Sequence, residues 1–195
     1  MPTRFLAVLV PPEASLRLTP RLLALEALHP AIRAVRPDGM HLTVQFLGRA
    51  PDSLLAAIAE VGQRVAGRHP PFQLALDGLG WFGPRARPNI IWLGICRGAA
   101  ELAEIHEDLA MELVGAGLPR DPRPYRAHCT LARARGELPP AARTCLQEQL
   151  RAGLDQPLEQ FLVQEIQLLE SISIPGEPNR YRALSRWPLG RPAET

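Results

Sequence analysis

Hydrophobic and polar residues alternate along several short segments of the chain, as they do in β-strands with one buried face. In residues 41–47, the polar side chains of His41, Thr43 and Gln45 would share one face of a strand. We predict further strands at residues 4–10, 72–76, 90–95, 126–131, 161–169 and 181–187. Gly176 and Pro178 mark a turn before the last of these strands.

Apolar residues recur at helical spacing in four other segments, which predicts helices at residues 16–28, 52–65, 101–114 and 141–151. Asp52 is expected to cap the second helix. The order lacks the strict strand–helix alternation of a doubly wound parallel sheet, so it favours an α+β fold with a mainly antiparallel sheet. We expect residues 1–195 to form a single catalytic domain of two similar lobes, with flanking helices, around a central cleft.

The composition is that of a globular protein with a substantial core. Hydrophobic residues make up 46% of the 195 residues, and charged residues make up 22%. Apolar runs stay below the ~18 residues of a membrane span, and the N-terminal segment lacks the features of a secretory signal. The three scattered cysteines argue against a zinc knuckle or a disulfide framework. We therefore expect a cytoplasmic protein that does not bind membranes. We also expect a monomer, although the sequence itself leaves the oligomeric state open.

The charge pattern excludes two kinds of chemistry. The formal net charge is only +2, and all 22 basic residues are arginine, since the sequence contains no lysine. A covalent lysyl–nucleotide or a Schiff base therefore cannot form. A P-loop is excluded as well, because it needs a lysine on the phosphates.

A tetrapeptide of histidine, any residue, threonine and an aliphatic residue (HxTx) occurs twice. The two copies are His41-Leu42-Thr43-Val44 and His128-Cys129-Thr130-Leu131. Residues i and i+2 of a strand point the same way, so each histidine shares a face with its threonine. Leu42, Val44 and Leu131 would anchor the opposite face, where Cys129 is interpreted as a small buried hydrophobe rather than a nucleophile.

Two imidazoles across a cleft suit acid–base catalysis, since one can accept a proton while the other donates one. A threonine hydroxyl beside each imidazole can donate a hydrogen bond to an anionic oxygen. The pair of motifs therefore suits an in-line displacement at phosphorus, in which no step demands a metal or a cofactor.

Arginines surround the second motif, and arginine is the natural bidentate partner of a phosphate. Arg126 shares the strand parity of His128, so it is expected to face the same cleft. Three other histidines lack the motif context, and we expect them to be structural or solvent-exposed: His29, His69 and His106.

The chain resembles the two-histidine phosphoesterase superfamily, in particular its RNA 2′,3′-cyclic phosphodiesterase branch, also called LigT-like or 2′-5′ RNA ligase. The resemblance is carried by both motifs and by the segments RFLAVLVPPE, RPDGMHLTVQFLGR, IIWLGI, RPYRAHCTLAR and IQLLESISIPGEPNRYRALSRWPL. It implies a bilobal fold and metal-free hydrolysis of a terminal 2′,3′-cyclic phosphate to a 2′-phosphate. The implied partners are RNA 3′ ends or oligonucleotides that carry this cyclic phosphate.

The resemblance also implies residue roles. His41 would be the proton donor and His128 the proton acceptor, while Thr43 and Thr130 would bind phosphate. In the family an arginine five residues after the second histidine contacts phosphate, and here that residue is Arg133.

One position in each motif strand conflicts with simple alternation. Phe46 stands five residues after His41, as Arg133 does after His128, and it is a candidate to pack against a nucleoside. Regular alternation points both side chains away from the histidines, so their use requires a bulge, a strand end or a pronounced twist. Ala127 replaces a proline frequent in the family, which is expected to alter local rigidity more than chemistry.

Three alternatives stay open. The same site could join RNA ends reversibly through a 2′-5′ bond, or the fold could bind RNA or a nucleotide without turning it over. A metal site built from His41, His128 and Asp38 is a weaker hypothesis, because two histidines without a carboxylate cluster make a poor ligand set.

Overall fold

The computed structural model describes residues 2–84, 87–151, 158–174 and 177–190, with the backbone alone at 149–151. Gly176, expected in a turn, lies outside these residues. The described strands are β1 (Thr3–Leu9), β2 (Ile32–Ala34), β3 (His41–Gly48), β4 (Phe72–Phe82), β5 (Ile90–Arg97), β6 (Cys129–Ala134), β7 (Glu159–Val163), β8 (Glu165–Ile172) and β9 (Arg180–Pro188). The described helices are α1 (Pro12–Leu28), α2 (Leu55–Arg68), α3 (Ala99–Gly115) and α4 (Pro140–Arg151).

All of these strands belong to one curled antiparallel sheet, in the order β7-β4-β5-β6-β3-β1-β8-β9, with β2 paired to β6. Its two halves are the two lobes of the predicted α+β fold. The halves meet where β3 and β6 lie side by side, and these two strands carry the histidine motifs. The sheet therefore brings together two motifs that are far apart in the sequence.

Helices cover the sheet in pairs. Helices α2 and α3 pack against each other and against the half that contains β3, β8 and β9, whereas α1 and α4 pack on the other half. The apolar faces predicted from helical spacing are buried, as Ile58, Leu102 and Ile105 show with no exposed surface. Within the described residues, no helix is long and apolar enough to cross a membrane.

Residues 161–169 form parts of two strands rather than the single strand that we predicted. Strand β7 pairs with β4 at one end of the sheet, and β8 pairs with β1 near the other end. Gln164 separates the two strands, and its carbonyl accepts a backbone hydrogen bond from Leu189. The sequence does mark this break, because Gln164 and Glu165 are consecutive polar residues between the buried Val163 and Ile166.

The predicted cap at Asp52 is also wrong. Asp52 begins a short 3₁₀ turn, and α2 starts at Leu55 without a side-chain cap. The Asp52 carboxylate is paired instead with the buried guanidinium of Arg4, which also binds Glu170. Compensation of that buried cation explains why the carboxylate does not bind the helix terminus.

Candidate active site

The two histidine motifs lie next to each other at the seam between the lobes. Strands β3 and β6 pair through Leu42 and Cys129, and both side chains are fully buried, as predicted. Continued by one residue in each direction, this antiparallel register sets each histidine opposite the threonine of the other motif. A cleft of about 620 Å³ is lined by all four polar motif side chains, His41, Thr43, His128 and Thr130.

Both imidazoles are anchored in the same way. His41 Nδ1 lies 2.7 Å from the carbonyl oxygen of Gly39, and His128 Nδ1 lies 2.7 Å from that of Arg126. A carbonyl oxygen can only accept, so each Nδ1 carries the proton and donates it. The tautomer is thereby fixed, and each Nε2 is left as the nitrogen that can accept or donate a proton at a substrate.

Aromatic rings surround the imidazole of the first motif. The ring of Phe5 stacks on His41 with centroids 4.9 Å apart, and Tyr181 meets His41 edge-on at 4.7 Å. Burial among these rings lowers the pKa of His41 to about 4, and the positive charges of Arg133 and His128 act in the same direction. The bond to Gly39 opposes this shift only in part.

The second imidazole has a comparable setting. Phe82 meets His128 edge-on at 4.8 Å, and Trp92 lies 6.3 Å away, centroid to centroid. Burial is again the main cause that lowers the pKa of His128, followed in the same direction by Arg133 and Arg126. In the free protein both imidazoles are therefore biased towards the neutral form.

A β-bulge follows the threonine in each motif strand. In the pairing of β1 with β3, Leu6 faces Gln45 and Ala7 faces Thr43, so Val44 is the extra residue. In the pairing of β5 with β6, Ile91 faces Ala132 and Trp92 faces Thr130, so Leu131 is the extra residue. The bulged residue is thus the fourth member of the motif in both strands.

Each bulge moves the residues that follow it to the opposite face of the strand. This explains how Phe46 and Arg133 reach the cleft although regular alternation points them away from it. Val44 and Gln45 are consecutive buried residues in β3, as Leu131 and Ala132 are in β6. The face that carries histidine and threonine therefore continues with Phe46 in one strand and with Arg133 in the other. Both side chains line the cleft, and Phe46 is 44% exposed.

The two arginines predicted for the site occupy different places in the cleft. Arg133 is close enough to His41 and His128 to lower the pKa of both, and it lies beside the Tyr181 hydroxyl. Arg126 is exposed at the rim, where its guanidinium lies 5.9 Å from the centroid of the Phe82 ring. Residue 126 precedes β6, which begins at Cys129 rather than at the predicted residue 126.

The histidines outside the motifs differ in their surroundings. The Nδ1 atom of His29 accepts a bond from the Ala31 amide, and His69 Nε2 lies 2.9 Å from an Asp108 carboxylate oxygen. Both have structural contacts, as expected. His106 is also bonded to the backbone, but it lines the cleft as well.

Sequence reasoning missed most of the aromatic walls of the cleft. Phe5 and Tyr181 lie in predicted strands, and Phe82 lies between two of them, but nothing in their local sequence marks them as cleft residues. Strand parity could have marked Phe5 and Tyr181 only once their partner strands were known, because β1 and β9 are distant from the motifs in sequence.

Asp38, the carboxylate of the alternative metal site, does not join His41 and His128 in the cleft. Asp38 lines a second cavity and pairs with Arg36, with a nitrogen–oxygen distance of 2.9 Å. Among the described residues, no group of three or more His, Cys, Asp and Glu side chains could hold a metal ion.

The sequence profile of the 2′-5′ RNA ligase superfamily matches residues 11–173. The chain belongs to this superfamily. A Geobacillus stearothermophilus protein named RNA 2′,3′-cyclic phosphodiesterase is 40% identical over 106 residues, which cover 54% of this chain and 33% of that protein. A Thermus thermophilus protein of the same name is 30% identical over 165 residues, covering 77% of this chain and 80% of that protein.

The match to an Aeropyrum pernix protein of that name spans 58% of its length at 32% identity. The chain thus spans about a third of the Geobacillus protein, less than three fifths of the Aeropyrum protein and most of the Thermus protein. Solved structures extend the likeness to the whole fold. Escherichia coli LigT complexed with 3′-AMP matches with a TM-score of 0.72 and 27% identity, covering 96% of this chain and 98% of that one. A solved Thermus thermophilus protein matches with a TM-score of 0.76 and 26% identity, covering 97% of this chain and 98% of that one.

Proposed function

We propose that the protein is an RNA 2′,3′-cyclic 3′-phosphodiesterase, which hydrolyses a terminal 2′,3′-cyclic phosphate to a 2′-phosphomonoester. The observation that carries the proposal is the pair of imidazoles in one cleft. Each has its Nδ1 proton held by a carbonyl two residues earlier, which leaves Nε2 for proton transfer. The names of the superfamily relatives support the same activity.

In the proposed complex the cyclic phosphate lies between the two motif strands. The hydroxyl groups of Thr43 and Thr130 bind non-bridging oxygens, and the Arg133 guanidinium neutralises the phosphate charge. Arg126 contacts the phosphate from the rim, where it is also available to the RNA chain. The ring of Phe46 packs against the nucleoside that carries the phosphate.

Hydrolysis then needs one displacement at phosphorus. His128 Nε2 takes a proton from water as the water oxygen forms a bond to phosphorus. The bond from phosphorus to the 3′ oxygen breaks, and protonated His41 gives its Nε2 proton to that oxygen. The phosphate stays on the 2′ oxygen, and exchange of protons with solvent restores both imidazoles.

The substrate itself supplies the charge that the proton donor needs. In the free protein, burial and neighbouring cations hold the pKa of His41 at about 4. A phosphodiester anion beside the ring favours the imidazolium and raises that pKa in the complex. The two histidines can therefore take opposite protonation states once the cyclic phosphate is bound.

The proposal is tested by replacing each histidine with alanine and measuring hydrolysis of RNA ending in a 2′,3′-cyclic phosphate. Loss of a general acid or base should lower kcat by about 10²- to 10⁴-fold in His41→Ala and in His128→Ala. His69→Ala, whose ring contacts Asp108 away from the cleft, serves as the control and should keep activity. Nearly full activity in both folded motif variants would refute the proposal.

Ligation is a second candidate, because the superfamily profile that matches this chain is named for 2′-5′ RNA ligases. A 5′-hydroxyl of another RNA would then attack phosphorus in place of water and would yield a 2′-5′ bond. Incubating one end-labelled RNA with and without a 5′-hydroxyl acceptor separates the two reactions. A joined product that accumulates faster than the 2′-phosphate would favour the ligase.

We further propose that residues 1–195 act as one catalytic domain and that the protein works as a cytoplasmic monomer. The support for one domain is that the cleft takes its lining residues from both lobes. A monomer would suffice for the proposed chemistry, because one chain supplies both histidines and Arg133 to the cleft. Sedimentation of the protein at working concentration tests the oligomeric state, and a dimer would contradict the proposed monomer.

A further inference from the structure

Two side chains outside the motifs bind the backbone of the first motif strand at its bulge. His106 Nδ1 lies 2.8 Å from the carbonyl oxygen of Val44, the extra residue of the bulge. The Tyr125 hydroxyl donates a hydrogen bond of 3.4 Å to the preceding carbonyl, that of Thr43. Because the Val44 oxygen only accepts, the Nδ1 atom of His106 carries the proton.

His106 and Tyr125 also bind each other. Their rings stack with centroids 4.1 Å apart and planes 9° from parallel, and both line the cleft. His106 comes from α3, whereas Tyr125 lies three residues before His128 in the segment that leads into the second motif. The stacked pair therefore ties the first motif strand to a helix and to the approach of the second motif.

The second bulge is held in a different way. The carbonyl of Leu131 accepts a hydrogen bond of 2.8 Å from the backbone amide of Val35. That bulge is held by a backbone-to-backbone hydrogen bond beside β2, which involves no side chain. The first bulge depends on side chains, so its geometry can be changed by single substitutions.

The first bulge sets the direction of Phe46. The guanidinium of Arg123 lies 5.6 Å from the centroid of the Phe46 ring, and Asp121 binds that guanidinium through two hydrogen bonds, of 2.9 and 2.6 Å. Arg123, Asp121 and Tyr125 all belong to the segment before the second motif. This segment thus borders Phe46 as well as the backbone of the bulge.

We propose that His106 and Tyr125 are positioning residues that hold the bulge of the first motif strand and so direct Phe46 towards the nucleoside of the substrate. The inference rests on the proposed function, because it takes Phe46 to be the nucleoside contact. It assigns to the pair an effect on nucleoside binding, because two of the proposed phosphate ligands, Thr130 and Arg133, lie on the second motif strand, which the pair does not hold.

The experiment compares two ligands by calorimetry, adenosine 3′-monophosphate and inorganic phosphate. The measured quantity is the ratio of the dissociation constant for phosphate to that for the nucleotide. If Phe46 is misdirected, the base loses its stacking on the aromatic ring. His106→Ala should therefore lower this ratio about fivefold or more and change the dissociation constant for phosphate less than about twofold. His106→Asn, whose amide can donate to the Val44 carbonyl, should restore most of the ratio.

Two further variants make the test specific. Tyr125→Phe keeps the stacked ring and removes the hydroxyl, so it should lower the ratio less than His106→Ala does. His69→Ala removes a histidine outside the cleft and should leave the ratio unchanged. If His106→Ala does not fold, Tyr125→Phe decides the matter, and an unchanged ratio in that variant would overturn the inference.

Other outcomes also count against the inference. Equal weakening of both ligands in His106→Ala, an unchanged ratio, or equal affinities of the unmodified protein for both ligands would overturn it. The titrations need no turnover. A protein with the expected ratios but without hydrolysis would contradict the proposed activity and leave the role of His106 and Tyr125 standing.

Discussion

His41 and His128 hold their Nδ1 protons on backbone carbonyls and keep their rings among aromatic side chains. The hydrogen bond to the carbonyl fixes the tautomer of each imidazole, and burial among the aromatic rings disfavours its charged form. Arg133 adds to this opposition from within the cleft. In the proposed reaction, an anionic phosphate beside the rings favours the imidazolium, so substrate binding and protonation of His41 would be linked.

The two lowered pKa values predict an acidic optimum for kcat/KM. The base must be neutral, so activity falls as pH drops through its pKa, and the acid must be charged, so activity falls as pH rises through its own. The free-protein pKa of His41 is about 4 and that of His128 lies below 6.5. The bell-shaped profile should therefore peak below pH 6.5, and kcat should peak at higher pH than kcat/KM.

The profile is measured with a short RNA ending in a 2′,3′-cyclic phosphate, from pH 4 to 9. A kcat/KM that keeps rising to a plateau above pH 7 would contradict the pair of lowered pKa values. Such a plateau would mean that only one ionising group controls the reaction.

Arg133→Gln should weaken catalysis and move the pH optimum. Loss of hydrogen bonds to a charged group costs about 1.5–3 kcal/mol, which lowers kcat/KM by about 10- to 150-fold. Removing a cation that lowers both histidine pKa values should also shift the optimum to higher pH. Arg135→Gln, an exposed neighbour in sequence, is the matched control. A loss of activity without any shift of the pH optimum would show that Arg133 does not influence the pKa values of the two histidines.

The bulges are the elements that complete the site. Sequence alternation placed His41 and Thr43 on one face, and the parity of Phe46 and Arg133 showed that a distortion was needed. It could not locate that distortion, because a bulge is defined by the partner strand and not by the strand itself. The structure places it at Val44 and at its counterpart in β6.

Other parts of the fold had weaker signals in the sequence. The helices and most strands followed from periodicity, and the α+β class followed from their order. The break at Gln164 has only a short signal, the consecutive polar residues Gln164 and Glu165. His106 lies in a predicted helix and lacks the motif context, and its contact with the Val44 carbonyl depends on packing of α3 against β3 that local sequence does not encode.

Gly80→Ala should disturb the packing of the Trp92 ring beside His128. A Cβ atom at residue 80 would overlap the Trp92 indole, which lies next to His128. Overpacking of this kind costs about 1–3 kcal/mol, so thermal unfolding should shift to lower temperature and kcat should fall. In Gly67→Ala the added methyl meets no atom within 4 Å, and this helix substitution should be neutral or stabilising. Equal behaviour of the two variants would argue against a close-packed wall.

The whole molecule should lose stability in mild acid because of His41. Its folded-state pKa of about 4 lies below the ordinary value of 6.5, so its stabilising contribution is complete above pH 6.5 and is lost as pH falls towards 4. From pH 7 to pH 4.5 this linkage amounts to roughly 2.5 kcal/mol for a fully developed shift. Urea unfolding at the two pH values should show a smaller difference in His41→Leu than in the unmodified protein. An identical difference would show that His41 is not buried in the neutral form.

The fold as a whole places two copies of one motif on neighbouring strands from opposite lobes. A single phosphate can therefore bind between both imidazoles. The most direct test is to incubate the unmodified protein, in EDTA, with RNA ending in a 2′,3′-cyclic phosphate and to identify the product isomer. We expect a 2′-phosphomonoester to form in EDTA and to be absent with His41→Ala and with His128→Ala. A 3′-phosphate product would contradict the proposed departure of the 3′ oxygen, and activity that disappears in EDTA and returns with added metal would contradict the metal-free two-histidine mechanism.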